Sequence, residues 1–154
     1  MRRRLSWFAL VMVLVAAAAP LRASSLPPIQ VAVAGIELCE QATCGAAIFA
    51  GLFNGYVDGR FALGTIAFSV THEVPLPDPD ATKLVTGGRW KLQTLTGKTF
   101  SGIVTGGTLH NNGNGTFDVQ TGLQILIGGS GPLTFNGVLS HNTFPPTISG
   151  RITP

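Results

Sequence analysis

The sequence predicts an all-β protein, a small antiparallel eight-stranded up-and-down barrel, and three observations carry that expectation. Apolar and polar residues alternate with period two along much of the chain. Glycine-bearing turn signals separate these runs at short, even intervals. Charged residues make up only 11% of the chain while glycine reaches 20 residues, which suits a sheet with tight turns and not a helical bundle built on Ala, Leu, Glu and Lys. A β-sandwich shares the same strand pattern and is the alternative. Closure into a barrel has the advantage of removing the exposed edges.

The first segment stands apart from the rest. Met1-Arg2-Arg3-Arg4 precedes an apolar run from Leu5 to Ala19, and Pro20-Leu21-Arg22-Ala23-Ser24-Ser25 follows. A basic start, a short apolar centre and a small-residue exit define a secretory signal peptide. The apolar run is shorter than the roughly 20 residues a spanning helix needs. The expected division is a signal peptide over 1–23, with cleavage after Ala23 or alternatively after Ser25, and a single domain over 24–154. A retained N-terminal anchor is the competing reading. The arginines also fit a twin-arginine signal, although the strongly apolar centre favours the general secretory route.

Removal of the leader reverses the charge. Arg2, Arg3, Arg4 and Arg22 leave with it, so six basic residues face seven acidic ones and the net charge becomes −1. The precursor's pI of 9.3 therefore says nothing of the exported domain. Without a basic patch, neither nucleic acid nor an anionic membrane surface is an expected partner.

Eight strands follow in order, at about 29–37, 46–57, 61–73, 84–94, 99–111, 115–127, 131–141 and 146–153, by the alternation rule. Ile29, Val31 and Val33 open the first. The second also fits a helical stripe through Ile48, Phe49, Leu52, Phe53 and Tyr56, with a turn or two of helix over Cys39 to Ala50. Gly51, Gly55 and Gly59 argue against a helix interior. Ile66, Phe68 and Val70 mark the third strand, Trp90 and Leu92 the fourth. Phe117, Val119, Leu123, Ile125 and Ile127 share one face of the sixth, opposite Asp118, Gln120 and Gln124. Leu133, Phe135 and Leu139 mark the seventh, and Ile148 and Ile152 the last. Asp58-Gly59 is a two-residue hairpin signal. Thr96-Gly97-Lys98, Asn111 to Gly115 and Gly128 to Gly131 are further turns, whereas Pro75 to Asp80 and Asn142 to Pro146 are longer loops.

Two internal echoes accompany the strands. Phe-x-Gly-x-(Val/Leu) recurs at Phe53, Phe100 and Phe135, where a large inward ring sits beside a glycine that lets the strand bend. Val85-Thr86-Gly87-Gly88 matches Val104-Thr105-Gly106-Gly107. Gly128-Gly129-Ser130-Gly131 followed by Phe135 and Gly137 resembles the glycine-rich hairpin of the allene oxide cyclase and dirigent-like barrels. That resemblance covers about ten residues and implies an eight-stranded antiparallel barrel around an apolar cavity. None of those families' functional residues is matched here.

Cys39 and Cys44 are the only cysteines, and in an exported chain an even pair reads as a disulfide. The small loop it closes gives about 2 kcal/mol in the chain-entropy model. No nucleophile elbow, phosphate loop or zinc-protease motif is present. Asp78 and Asp80 form a two-carboxylate loop that falls short of a calcium ligand set. Asn114-Gly115-Thr116 is a glycosylation sequon if the source is eukaryotic.

His72, His110 and His141 end the third, fifth and seventh strands, which run the same way in a meander. All three are thus expected at one rim, joined there by Glu37, Glu40, Glu73, Asp78 and Asp80. Parity with Phe68, with Phe100 and Val104, and with Phe135 and Leu139 turns all three inward, provided Gly106-Gly107 makes no bulge. Three converging imidazoles suit Zn²⁺ or Cu²⁺, and one alone suits a general base. The bland alternative is three strand-end histidines bonded to loops and water. Phe68, Trp90, Phe117 and Phe135 are the candidate lining of an apolar cavity. The leading expectation is a secreted or periplasmic, non-enzymatic barrel without a cofactor, holding a small hydrophobic ligand or a surface partner. A histidine-based or metal-dependent enzyme, and a structural protein presenting a polar outer face, are the alternatives.

Overall fold

A computed structural model of the protein describes residues 28–154; the expected signal peptide and its cleavage site lie outside these residues. The chain forms eight antiparallel strands, β1 (Ile29–Cys39), β2 (Ala47–Val57), β3 (Arg60–His72), β4 (Thr82–Thr94), β5 (Thr99–Asn111), β6 (Thr116–Ile127), β7 (Pro132–Ser140) and β8 (Thr147–Thr153). Each pairs with the next, and β1 pairs with β8 from Val31↔Ile152 to Ile36↔Thr147, closing the barrel. Of the helix weighed over Cys39 to Ala50, one turn exists, α1 (Gln41–Cys44). Glycine at 45 ends it in the left-handed conformation, and the apolar residues beyond it enter β2.

The hairpin chemistry follows local sterics. Asp58 and Gly59 take φ of 48° and 73°, the mirror-image turn whose twist matches that of the flanking strands. Tight turns close one end of the barrel at 58–59, 95–98 and 128–131, while the other end carries the longer connections at 40–46, 73–81 and 141–146 together with the four-residue turn at 112–115.

The two ends are filled differently. Ile29, Leu92, Phe100, Leu123, Leu133 and Ile152 are the largest fully buried side chains, and all but Leu123 lie within the first or last few residues of a strand at the tight-turn end. Rings in this packing lie against glycines, Phe135 against Gly137 of its own Phe-x-Gly segment and Phe53 against Gly64 of the neighbouring strand. A Cβ at Gly137 would stand 2.5 Å from Phe135 Cζ, and one at Gly64 would stand 2.6 Å from Phe53 Cε1. The rings therefore lie over glycines, filling space that a side chain would otherwise claim. Trp90 is buried beside Gly102, and its Nε1 donates to the Gln124 carbonyl at 3.3 Å.

The second echo has a structural meaning of its own. Each Val-Thr-Gly-Gly segment holds an extra residue: the register of β3 on β4 shifts between Thr71 and His72, and that of β5 on β6 shifts between Val104 and Gly106. These are β-bulges, and each one exchanges the inward and outward faces of the strand beyond it. Val85 and Trp90 both point inward on β4, as do Val104 and Leu109 on β5, although each pair differs in parity. A further irregularity between Ser101 and Gly102 accompanies Ile127, which is 63% exposed and so departs from the inward face of β6.

The outer face of β7 and β8 is mostly polar, with Asn136, Ser149 and Arg151 exposed beside a single exposed valine, Val138. The outer face is not polar throughout. Leu52, Tyr56, Phe61 and Leu63 are exposed on β2 and β3, with the Tyr56 and Phe61 rings meeting edge to face at 6.1 Å.

If the tight-turn end is the rigid core, Phe100→Ala should lower the unfolding free energy by about 3–5 kcal/mol in urea denaturation. Phe144→Ala, in a loop at the open end where Phe144 is fully exposed, should stay within about 0.5 kcal/mol of the parent. Equal effects would contradict this division.

Candidate functional site

The strand ends that carry the longer loops surround a cavity of about 520 Å³, within the roughly 300–1,000 Å³ range of small-molecule sites. Its walls are alternate inward residues of neighbouring strands: Ala47 and Phe49 of β2, Phe68 and Val70 of β3, Val85 of β4, Leu109 of β5, Val119 of β6, Phe135 and Leu139 of β7, and Ile148 of β8. Phe68 and Phe135, with ring centroids 5.5 Å apart, belong both to the packed core and to the cavity wall. Val74, Pro75 and Leu76 from the β3–β4 loop reach over the opening, and Asn111 Nδ2 anchors that loop by donating to the Pro77 carbonyl at 2.8 Å.

The lip beside it is built by the β1–β2 connection. Cys39 and Cys44 are disulfide-bonded with Cα atoms 6.1 Å apart, which suggests an oxidising environment. Between them Gln41 clamps the end of β3. Its Nε2 donates to the His72 carbonyl at 2.9 Å, and its Oε1 accepts from the His72 amide at 2.8 Å. The short covalent loop thus holds Glu40, Gln41 and Ala42 against the cavity.

Of the three histidines, two line the cavity and one does not. His72 lines it, and its Nδ1 donates to the Glu73 carbonyl at 2.8 Å. His141 lines it as well, with its ring centroid 5.1 Å from that of Phe117. His110 is turned away by the β5 bulge: Leu109 takes the inward position, and His110 Nδ1 is hydrogen-bonded to Thr82 Oγ1 at 2.9 Å. Among the described residues no three His, Cys, Asp or Glu side chains come together in an arrangement that could hold a metal ion. The three-histidine Zn²⁺ or Cu²⁺ set is therefore not assembled, because one extra residue in β5 inverts the parity on which it depended. Asp78 and Asp80 are exposed in their loop.

The four aromatic candidates also divide. Phe68 and Phe135 line the cavity. Phe117 is buried behind His141. Trp90 packs deeper, and the groove it borders is a shallow one on the outer surface.

A residue that sequence reasoning left at the rim is the most distinctive in the site. Glu37 is in phase with Ile29, Val31 and Val33, so β1 carries it inward, and it is 7% exposed. Its Oε2 faces His141 Nε2 at 3.6 Å, and neither atom has a hydrogen-bond partner or contact with solvent. Burial, with a smaller contribution from the nearby Glu40 carboxylate, raises the Glu37 pKa from 4.5 to about 7. The signal was present in the alternation: a carboxylate in phase with three core residues is a buried carboxylate.

Neither protein-family models, nor curated proteins, nor solved structures give a match to this chain. The fold and its cavity define the class: a closed eight-stranded barrel, packed at one end and open at the other.

The carboxyl has a thermodynamic signature. Its pKa is higher folded than unfolded, so the folded state holds the proton more tightly between pH 4.5 and about 7. Below that window both states are protonated and there is no penalty; through it stability falls as pH rises; above it the loss is complete. At about 1.4 kcal/mol per pKa unit the loss is on the order of 3 kcal/mol. Glu37→Gln should remove this slope and be the more stable protein at pH 8, as read from urea denaturation between pH 4 and 8. Parallel pH profiles for the two proteins would contradict the burial of an ionisable Glu37.

Proposed function

We propose that the protein is exported, to the periplasm or beyond the cell, and holds a small apolar molecule in the open half of its barrel without transforming it. The observation that carries this reading is the unfilled cavity, walled by Phe49, Phe68, Val70, Leu109, Phe135 and Leu139. Side chains able to fill it are ordinary in small barrels, whose interiors are usually just wide enough for them. Here the filling stops at Phe68 and Phe135. A concave apolar chamber with a few polar groups at one point is the common form of a small-molecule site. The hairpin likeness to allene oxide cyclase and dirigent-like barrels supports the same reading, since those barrels enclose an apolar cavity. The disulfide and the leader support export.

A second reading, acid–base chemistry at the mouth, is favoured by one observation, the meeting of Glu37 and His141. A carboxyl raised to about 7 beside an imidazole can hold or release a proton near neutral pH. Chemical change in a ligand recovered after incubation with the protein would support it; recovery of the ligand intact would favour simple binding.

The binding reading is tested with the uncharged fluorophore N-phenyl-1-naphthylamine. Saturable one-to-one binding with a blue-shifted emission is expected, and Val119→Phe, which fills the chamber, should weaken it at least tenfold with the far-UV circular dichroism unchanged. Absence of binding to the parent, or full binding to the filled variant, would overturn the proposal.

A further inference from the structure

The polar side chains lining the cavity are those of Glu37, Glu40, Gln41, His72, Thr121 and His141. Gln41 is paired with the His72 backbone, and His72 Nδ1 with the Glu73 carbonyl. Glu37 Oε2 and His141 Nε2 are the buried side-chain atoms left without a partner among the described residues, and both residues line the chamber. At 3.6 Å they are too far apart for a hydrogen bond to each other. An unmet buried donor or acceptor is costly to leave and rewarding to satisfy.

Resting on the reading that the chamber binds an apolar molecule, we infer that the ligand is uncharged and carries a hydroxyl group, which the Glu37–His141 pair recognises. A hydroxyl both donates and accepts. It can donate to the carboxyl oxygen and accept from the imidazole N–H at once, seated at the apex of a triangle whose base is the 3.6 Å separation. His141 stands at the end of β7 with a side chain 27% exposed, so its ring has room to tilt and admit that group. An ether accepts without donating and satisfies only one of the two atoms.

Charge argues in the same direction. Glu40 lines the opening, Glu73, Asp78 and Asp80 are exposed on the loops around it, and these four outnumber the one lysine at this end, Lys83, which is paired with Leu109 at the start of β4. This acidic rim opposes the entry of a carboxylate. An ammonium would be drawn to the rim but would lose its hydration among Phe49, Phe68 and Leu139. Burial already disfavours charge on Glu37 itself, and a neutral hydroxyl leaves the charge of the pair unchanged.

The test is displacement of N-phenyl-1-naphthylamine at pH 7 by four molecules of one chain length: 1-decanol, decyl methyl ether, decylamine and decanoic acid. The alcohol should bind at least tenfold more tightly than the other three. In Glu37→Leu, which removes the acceptor, and in His141→Phe the fluorophore should still bind, showing a folded chamber, while the preference for alcohol over ether falls to threefold or less. Equal binding of alcohol and ether by the parent, a preference for amine or acid, or a preference that survives in both variants would overturn the inference and leave the apolar chamber standing. Failure of the parent to bind the fluorophore or any of the four would overturn both.

Discussion

Pairing of β1 with β8 is the constraint from which the remaining features follow. Once Val31 stands opposite Ile152 and Ile36 opposite Thr147, no edge is left free, and every residue of every strand must point either into the barrel or away from it. The inside is then a space of fixed width that each strand fills one residue in two. At the tight-turn end the rings of Phe53 and Phe135 press onto glycines and the interior is solid. Towards the other end Ala47, Val70, Val85 and Val119 stand among the larger Leu109, Leu139 and Ile148, and together they line the space without filling it. The chamber is a consequence of side-chain volume along the barrel axis, and no separate structural element creates it.

The polar features gather where the filling fails. Glu37 continues the inward row of β1 beyond Val33 and so arrives in the chamber instead of in the core. His141 arrives from the end of β7 with Phe117 at its back. The disulfide contributes by restraining the segment that carries Gln41 onto β3. The site thus draws on four separate parts of the chain, each placed by closure and alternation, and its one unsatisfied polar contact lies inside an apolar wall.

Most of the fold was legible because alternation and turn chemistry are local. All eight strands lie within two residues of their expected positions, and Asp58-Gly59 makes the hairpin its composition implies. The parity of β4 and β5 was not legible from alternation alone. A bulge costs one residue and leaves no apolar signature, so Phe100 and Val104 gave the wrong face to His110. The repeated Val-Thr-Gly-Gly segments were the available sign, since each marks a strand that changes face. Glu37 was visible at the rim but its partner was not: that His141 meets it depends on the order of strands around the barrel, which pairs residues over a hundred positions apart. The size of the cavity was also beyond reach, being set by whether rings from opposite walls touch.

The central claim, an interior solid at one end and open at the other, is most directly tested by methyl NMR. Titration with 1-decanol should shift the methyl resonances of Val70, Val85, Leu109, Val119, Leu139 and Ile148, which line the chamber. Those of Ile29, Leu92, Leu133 and Ile152, at the packed end, should hold still. Shifts confined to the exposed Leu52 and Leu63, or spread evenly through both ends, would contradict a half-filled barrel.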